Sequence, residues 1–141
     1  MNKVEVLQRL NASSNNTLMQ TLEIEYVDIG EDFLTATMPV TSKVHQPDGV
    51  LHGGATVALA ETVGSAASHA LLGSNDTVIR GIEISANHLK SVTHGMIQAK
   101  AVLMHKGKTL QLWDIEVRDK DDRLISKCKL STICLKKKMI H

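Results

Sequence analysis

Aromatic side chains are almost missing from this sequence. One Tyr, one Phe and one Trp, at positions 26, 33 and 113, make up 2% of 141 residues. A surface for single-stranded nucleic acid needs several stacking rings, so that class is disfavoured. A charge surplus is missing too: 16 Lys and Arg stand against 15 Asp and Glu. A phosphate-binding domain would carry a clear basic excess. The one basic run, Lys136-Lys137-Lys138, reads as a solvated tail. Only two cysteines occur. Cys128 and Cys134 share a strand-like stretch and lie ~20 Å apart if it is extended. That is too far for a disulfide, and they read as reduced thiols. The opening residues MNKVEVLQRLNA lack the roughly 7–15-residue apolar core of an export signal. The expected location is therefore the cytoplasm, with neither nucleic acid nor membrane as partner.

What the chain does contain is aliphatic, with 43% hydrophobic residues in a length that suits one domain, 1–141. Residues 3–11 place Val4, Leu7 and Leu10 at helical spacing, with Asn11 and the Ser/Asn cluster after it as a stop. Residues 21–29 alternate, with Leu22, Ile24 and Tyr26 on one face, and with 33–40 they predict a hairpin about Gly30-Glu31-Asp32. Residues 41–54, with Pro47-Asp48-Gly49 and Gly53-Gly54, read as an irregular loop. Four strand-like stretches follow later, at 78–89, 95–105, 109–118 and 124–135. Their succession, divided by turn signals, predicts an antiparallel meander.

Between loop and strands, residues 55–72 (ATVALAETVGSAASHALL) are apolar on nearly every face. A helix without a polar face is buried in a core or a membrane. Its length is at the short end for a bilayer, and its small residues and central Glu61 favour a core helix laid across the sheet. The open sheet edges that remain call for a second subunit.

Glu61 is the one charge in that run. A buried carboxylate is paired, protonated or functional, and no Lys or Arg lies within helical reach of it. Just upstream, Gln46, Asp48, His52, Gly53 and Gly54 run into the helix N-terminus. Free N–H groups and the helix dipole there suit developing negative charge, and the two glycines allow a ligand close to the backbone. A carbonyl polarised by such an N–H and facing a carboxylate is set for attack on an acyl group. No G-x-S-x-G elbow accompanies Ser65 or Ser68. The spacing of His45, His52 and Glu61 lacks the H-x-x-x-H form of a zinc helix, so no metal is assigned.

The run from His45 to Glu61, with Gln46, five residues, His52-Gly53-Gly54, then a Glu after further small residues, resembles the signature of hotdog-fold acyl-CoA thioesterases. The similar subgroup contains the phenylacetate-degradation, 4-hydroxybenzoyl-CoA and 1,4-dihydroxy-2-naphthoyl-CoA thioesterases. The order of elements resembles that family over nearly the whole chain. The resemblance implies an α+β hotdog fold, a long antiparallel sheet wrapped around one buried helix. It implies hydrolysis of an acyl-CoA, or an acyl carrier protein thioester, with an aromatic acyl group and no cofactor. Glu61 would be nucleophile or general base, and the N–H beside His52-Gly53 would polarise the carbonyl. Gln46 would orient the carbonyl or water, and Ser65 would hold one of them. In the family these groups meet across a subunit interface, so a homodimer at least, and a homotetramer by analogy, is implied. His88, within Glu83–Lys90, would touch substrate, and Lys90, Lys106 and Lys108 would meet CoA phosphates. Two other readings keep the fold: a hydratase or dehydratase on acyl thioesters, and an acyl-CoA binding module with a structural Glu61.

Overall fold

The computed structural model describes residues 1–137. Its elements are α1 (Lys3–Ala12), α2 (Leu18–Thr21), β1 (Glu25–Ile29), β2 (Phe33–Val40), a 3-10 turn (Ser42–Val44), α3 (Gly53–Leu72), β3 (Thr77–His88), β4 (Gly95–Lys106), β5 (Leu110–Arg118) and β6 (Leu124–Lys136). The six strands form one antiparallel sheet in the order β1-β2-β4-β5-β6-β3, with α3 across one face. This is the α+β architecture, sheet about a central helix, that the sequence leads one to expect. No helix among the described residues is long and apolar enough to cross a membrane.

The meander is corrected. Strands β4, β5 and β6 do follow one another, but β3 pairs with β6 and forms the far edge, while β4 pairs with β2. Residue spacing announces strands without naming partners. Here α3 separates β2 from β3 in the chain, and β3 is laid at the opposite side of the sheet.

The face of the sheet toward α3 carries Ile97, Ala99 and Ala101 of β4, Trp113, Ile115 and Val117 of β5, and Cys128 and Leu130 of β6, all at most 1% exposed. Leu59, Val63 and Ala67 of α3 meet them with no exposed surface. Each buried Leu or Val contributes roughly 1.5–3 kcal/mol relative to exposure. Gly64 lets helix and sheet approach closely: a Cβ there would collide with Leu130 Cδ2 and press on Ile115 Cδ1. One turn on, Ser68 Oγ meets Thr132 Oγ1 at 2.8 Å, and Thr132 donates to Gln111 Oε1 at 2.9 Å. These buried polar groups satisfy one another and pin the helix to β5 and β6.

Burial of α3 on every side is also corrected. Glu61 and His69 are exposed, and Thr62, Ser65 and Ala66 between them are half-buried. One sheet covers one face of a helix, and the opposite face of small residues stays open in a single chain. At the other end, Asn11 sits inside α1 rather than stopping it. Its side chain donates to Tyr26 O at 3.0 Å and accepts from Tyr26 N–H at 2.8 Å, docking α1 on β1. The strand foreseen from residue 21 begins at Glu25, because residues 18–21 form α2 and Glu23 takes a φ of 58°. Lys138, the last of the basic run, lies outside the described residues.

Candidate active site

The loop before α3 is tied down by backbone bonds. Gln46 N–H donates to Val50 O and Gly49 N–H to Gln46 O, closing a tight turn over Pro47-Asp48. Leu51 N–H reaches Val92 O and His52 N–H reaches Val44 O, both at 2.8 Å. With its backbone so occupied, Gln46 turns a half-buried side chain into a cleft shared with Gly53, Thr56, His88, Lys90 and Ile125.

The helix begins at Gly53, two residues before the apolar run, because His52 caps it. The His52 Nδ1 accepts the Gly54 N–H at 2.8 Å, so in the neutral ring the proton sits on Nε2. Gly53 N–H, the first of the helix, takes no partner among the described residues. It is an unsatisfied donor at the positive end of a 20-residue helix. Glycine at 53 leaves room for His88: a Cβ would lie 2.9 Å from His88 Nε2, and the ring would have to shift. The other ring nitrogen of His88 is held by the buried Ser126 hydroxyl at 3.0 Å.

Glu61 lies eight residues further along α3, about 12 Å up the axis. It lines a different cleft, with Leu10, Tyr26, Ser65, Ala66 and Ile79. Among the described residues its carboxylate has neither an ion pair nor a hydrogen bond. The carboxylate rests over the backbone of Gly81 in β3, where a Cβ would come within 3.0 Å of Glu61 Oε2 and 3.4 Å of Ser65 Oγ. Next to it the β3–β6 register slips between Gly81 and Glu83. Bulges of this kind re-aim chain and side chains next to sites. Gly81 was not singled out by the sequence, although a glycine inside a strand pattern does signal close approach or a bulge.

The structure thus divides the expected residues. Gln46, Gly53, His88 and Lys90 share one cleft, and Glu61 and Ser65 share another. Gly54 is exposed on the first turn, with its N–H taken by His52. Lys106 and Lys108 flank Gly107 on the exposed β4–β5 turn and line neither cleft. His45, His52 and Glu61 do not converge: His45 Nε2 bonds Thr93 O at 2.9 Å and His52 is the cap. No group of three His, Cys, Asp or Glu among the described residues is placed to hold a metal ion.

Two other reactive groups are held neutral. Burial pushes the Tyr26 hydroxyl, on the wall of the Glu61 cleft, up to about 12. Burial also raises the Cys128 thiol, which keeps its proton and is a poor nucleophile. In the second cleft the free carboxylate of Glu61 and the exposed imidazole of His69 are the groups with the chemistry of a base, and the Gly53 N–H is a free donor in the first.

The family model described as the thioesterase superfamily matches residues 48–126. The chain is 44% identical over 126 residues to a protein of Cronobacter turicensis named proofreading thioesterase EntH, covering 89% of this chain and 91% of that one. A solved thioesterase of Haemophilus influenzae matches with a TM-score of 0.88 at 38% identity, covering 92% and 90% of the two chains. A mutant thioesterase of Pseudomonas aeruginosa matches with a TM-score of 0.90 at 37% identity, covering 92% and 94%.

Proposed function

The chain belongs to the thioesterase superfamily and is a thioester hydrolase, and from that premise we propose that it cleaves acyl-CoA to a free acid and CoA at a site centred on Glu61. The observation that carries this reading is the division of the chemistry into two incomplete halves. Glu61 and Ser65 have a carboxylate and a hydroxyl but no free backbone N–H of a helix N-terminus for a carbonyl oxygen. Gln46 and Gly53 have donors but no carboxylate. About 12 Å of helix keeps them apart within one chain. A second copy, bringing its Gln46 and Gly53 to this chain's Glu61 and Ser65, makes each half whole. The unpaired edge strand β3, which carries Gly81, is the natural seam for such a homodimer. A homotetramer is two such pairs.

In this arrangement the thioester carbonyl accepts the Gly53 N–H of the partner, with Gln46 steering carbonyl or water. Glu61 either takes a proton from water as it attacks the carbonyl carbon, or attacks with its own oxygen to give an anhydride that water then opens. In both cases the C–S bond breaks and the thiolate leaves and takes up a proton. Gly53 does the work of an oxyanion donor, best placed where negative charge develops. His52 acts through the backbone, by capping the turn that presents Gly53. His88 and Lys90 line the donor side, Lys90 as a point charge for a CoA phosphate. Lys106 and Lys108 remain surface contacts for the nucleotide. The acyl group occupies the apolar cleft of Leu10, Tyr26, Ala66 and Ile79, and an aromatic acyl group is the substrate proposed. No cofactor takes part, and the enzyme works in the cytoplasm.

Thiol release from benzoyl-, phenylacetyl- and straight-chain acyl-CoAs tests the reading. Turnover of CoA esters, with the aromatic esters ahead, is the expected result. Absence of thiol release from every CoA ester and from the matching carrier-protein esters would refute it. A second expectation concerns Gly81. Its alanine variant should keep the fold, since Gly→Ala in a strand relieves a backbone entropy cost. The added methyl, 3.0 Å from Oε2, should displace the carboxylate and lower kcat/KM by about tenfold or more, as small misplacements of catalytic groups do. An alanine variant as active as wild type would show that Glu61 works elsewhere than over β3.

A further inference from the structure

The Glu61 cleft does not end at its apolar wall. Past Leu10, His69 and Ile79 it opens into a wider trough of about 760 Å³ between α1, the end of α3 and the start of β3. Arg9, Arg80 and Lys137 line this trough beside His69, and no carboxylate does. None of the three cations forms an ion pair among the described residues. Arg80 gives one N–H to Ile79 O at 3.0 Å and keeps the others of its five donors. The nearby Asp76 lies outside the trough, where it bonds the Ser74 hydroxyl and sits in the field of Lys136 and Lys137. Lys137 is thereby partly compensated, while the two arginines form no ion pair among the described residues.

Cations at the end of a helix can serve its negative pole. None of the three donates to a carbonyl of the last turn of α3 among the described residues, so that pole leaves their N–H donors free. A concave surface of one sign focuses its field and collects the opposite charge. The distance is also informative. From Glu61 to His69 is eight residues of helix and to Gly73 twelve, about 12 and 18 Å. An extended chain gaining ~1.2 Å per bond covers the shorter distance in roughly ten bonds.

We propose that this trough is an anion subsite of the hydrolytic site, taking a second negative charge carried by the thioester roughly 12–18 Å from its carbonyl. The proposal rests on the assignment of Glu61 to thioester hydrolysis. Two parts of a substrate carry such a charge at that reach: a phosphate on the thiol carrier, and a carboxylate at the far end of the acyl chain.

Three esters separate these sources: decanoyl-N-acetylcysteamine, with no anion; decanoyl-CoA, with carrier phosphates; and sebacoyl-N-acetylcysteamine, with a terminal carboxylate. Each is assayed with wild type, Arg9→Gln and Arg80→Gln. For one of the anionic esters the loss in kcat/KM, carried by KM, should exceed that for the neutral ester by about tenfold, the worth of one charge-assisted hydrogen bond. A loss confined to decanoyl-CoA identifies the phosphate, and one confined to the sebacoyl ester identifies the acyl carboxylate. Equal losses on all three esters, or none, would overturn the subsite. Calorimetric binding of CoA and of sebacate to wild type and to the double variant is read alongside. Binding of either that weakens about tenfold in the double variant supports the subsite, and binding of neither, or binding unchanged, overturns it. Failure of the hydrolysis assignment is a separate outcome, no thiol release by wild type from any ester, and leaves the binding result to decide.

Discussion

Replacing Glu61 with alanine is expected to lower thiol release from acyl-CoA by at least ~100-fold, the usual loss when a positioned base or nucleophile is removed. The fold should not suffer. Glu61 is exposed and has no hydrogen bond or ion pair among the described residues. Alanine is the best helix former, and neighbours Ala60 and Thr62 keep their places. An unchanged melting temperature would therefore assign the loss to chemistry. Glu61→Gln, which keeps the shape and loses the basicity, should be as inactive. Glu61→Asp, which withdraws the carboxylate by one methylene from its rest over Gly81, should fall between. A Glu61→Ala protein with more than about a tenth of the wild-type rate would remove Glu61 from the reaction, since no positioned base is worth so little.

Much of the site is legible in the sequence because its chemistry breaks local rules. A carboxylate in an Ala-rich run stands out against every neighbour. A glycine pair stands out in the first turn of a helix, where glycine is a poor helix former, and the resemblance attaches Gln46 and Ser65 to it. The alternating strands β4 to β6 are legible for the usual reason, that one face is buried. Other features depend on what lies far away in the chain. Whether β3 pairs with β4 or β6 is decided by how the chain passes over α3, and spacing carries no trace of that. The role of Gly81 depends on the carboxylate above it, twenty positions earlier. The open face of α3 is not legible in the sequence because hydropathy reports what a residue favours, and Ala58 and Ala66 favour burial that a single chain does not supply. The cap made by His52 is not legible either, since the ring replaces the usual Ser, Thr or Asp.

That open face leads to the second large effect. If the site is built from Glu61 and Ser65 of one copy and Gln46 and Gly53 of the other, a defect in either half can be offset by a partner that is sound there. Mixed dimers of a Glu61→Ala chain and a Gln46→Ala chain hold one site with both defects and one with neither. Random pairing makes half of all dimers mixed, each with one of two sites intact, so about a quarter of wild-type activity should return. The two variants, refolded together from denaturant and assayed by thiol release beside each refolded alone, make the direct measurement. Recovery to about a quarter of the wild-type rate, from proteins nearly inactive apart, is the expected result. A mixture no more active than the average of its two components would contradict a shared site, and would mean that one chain brings Glu61 and Gln46 together by itself.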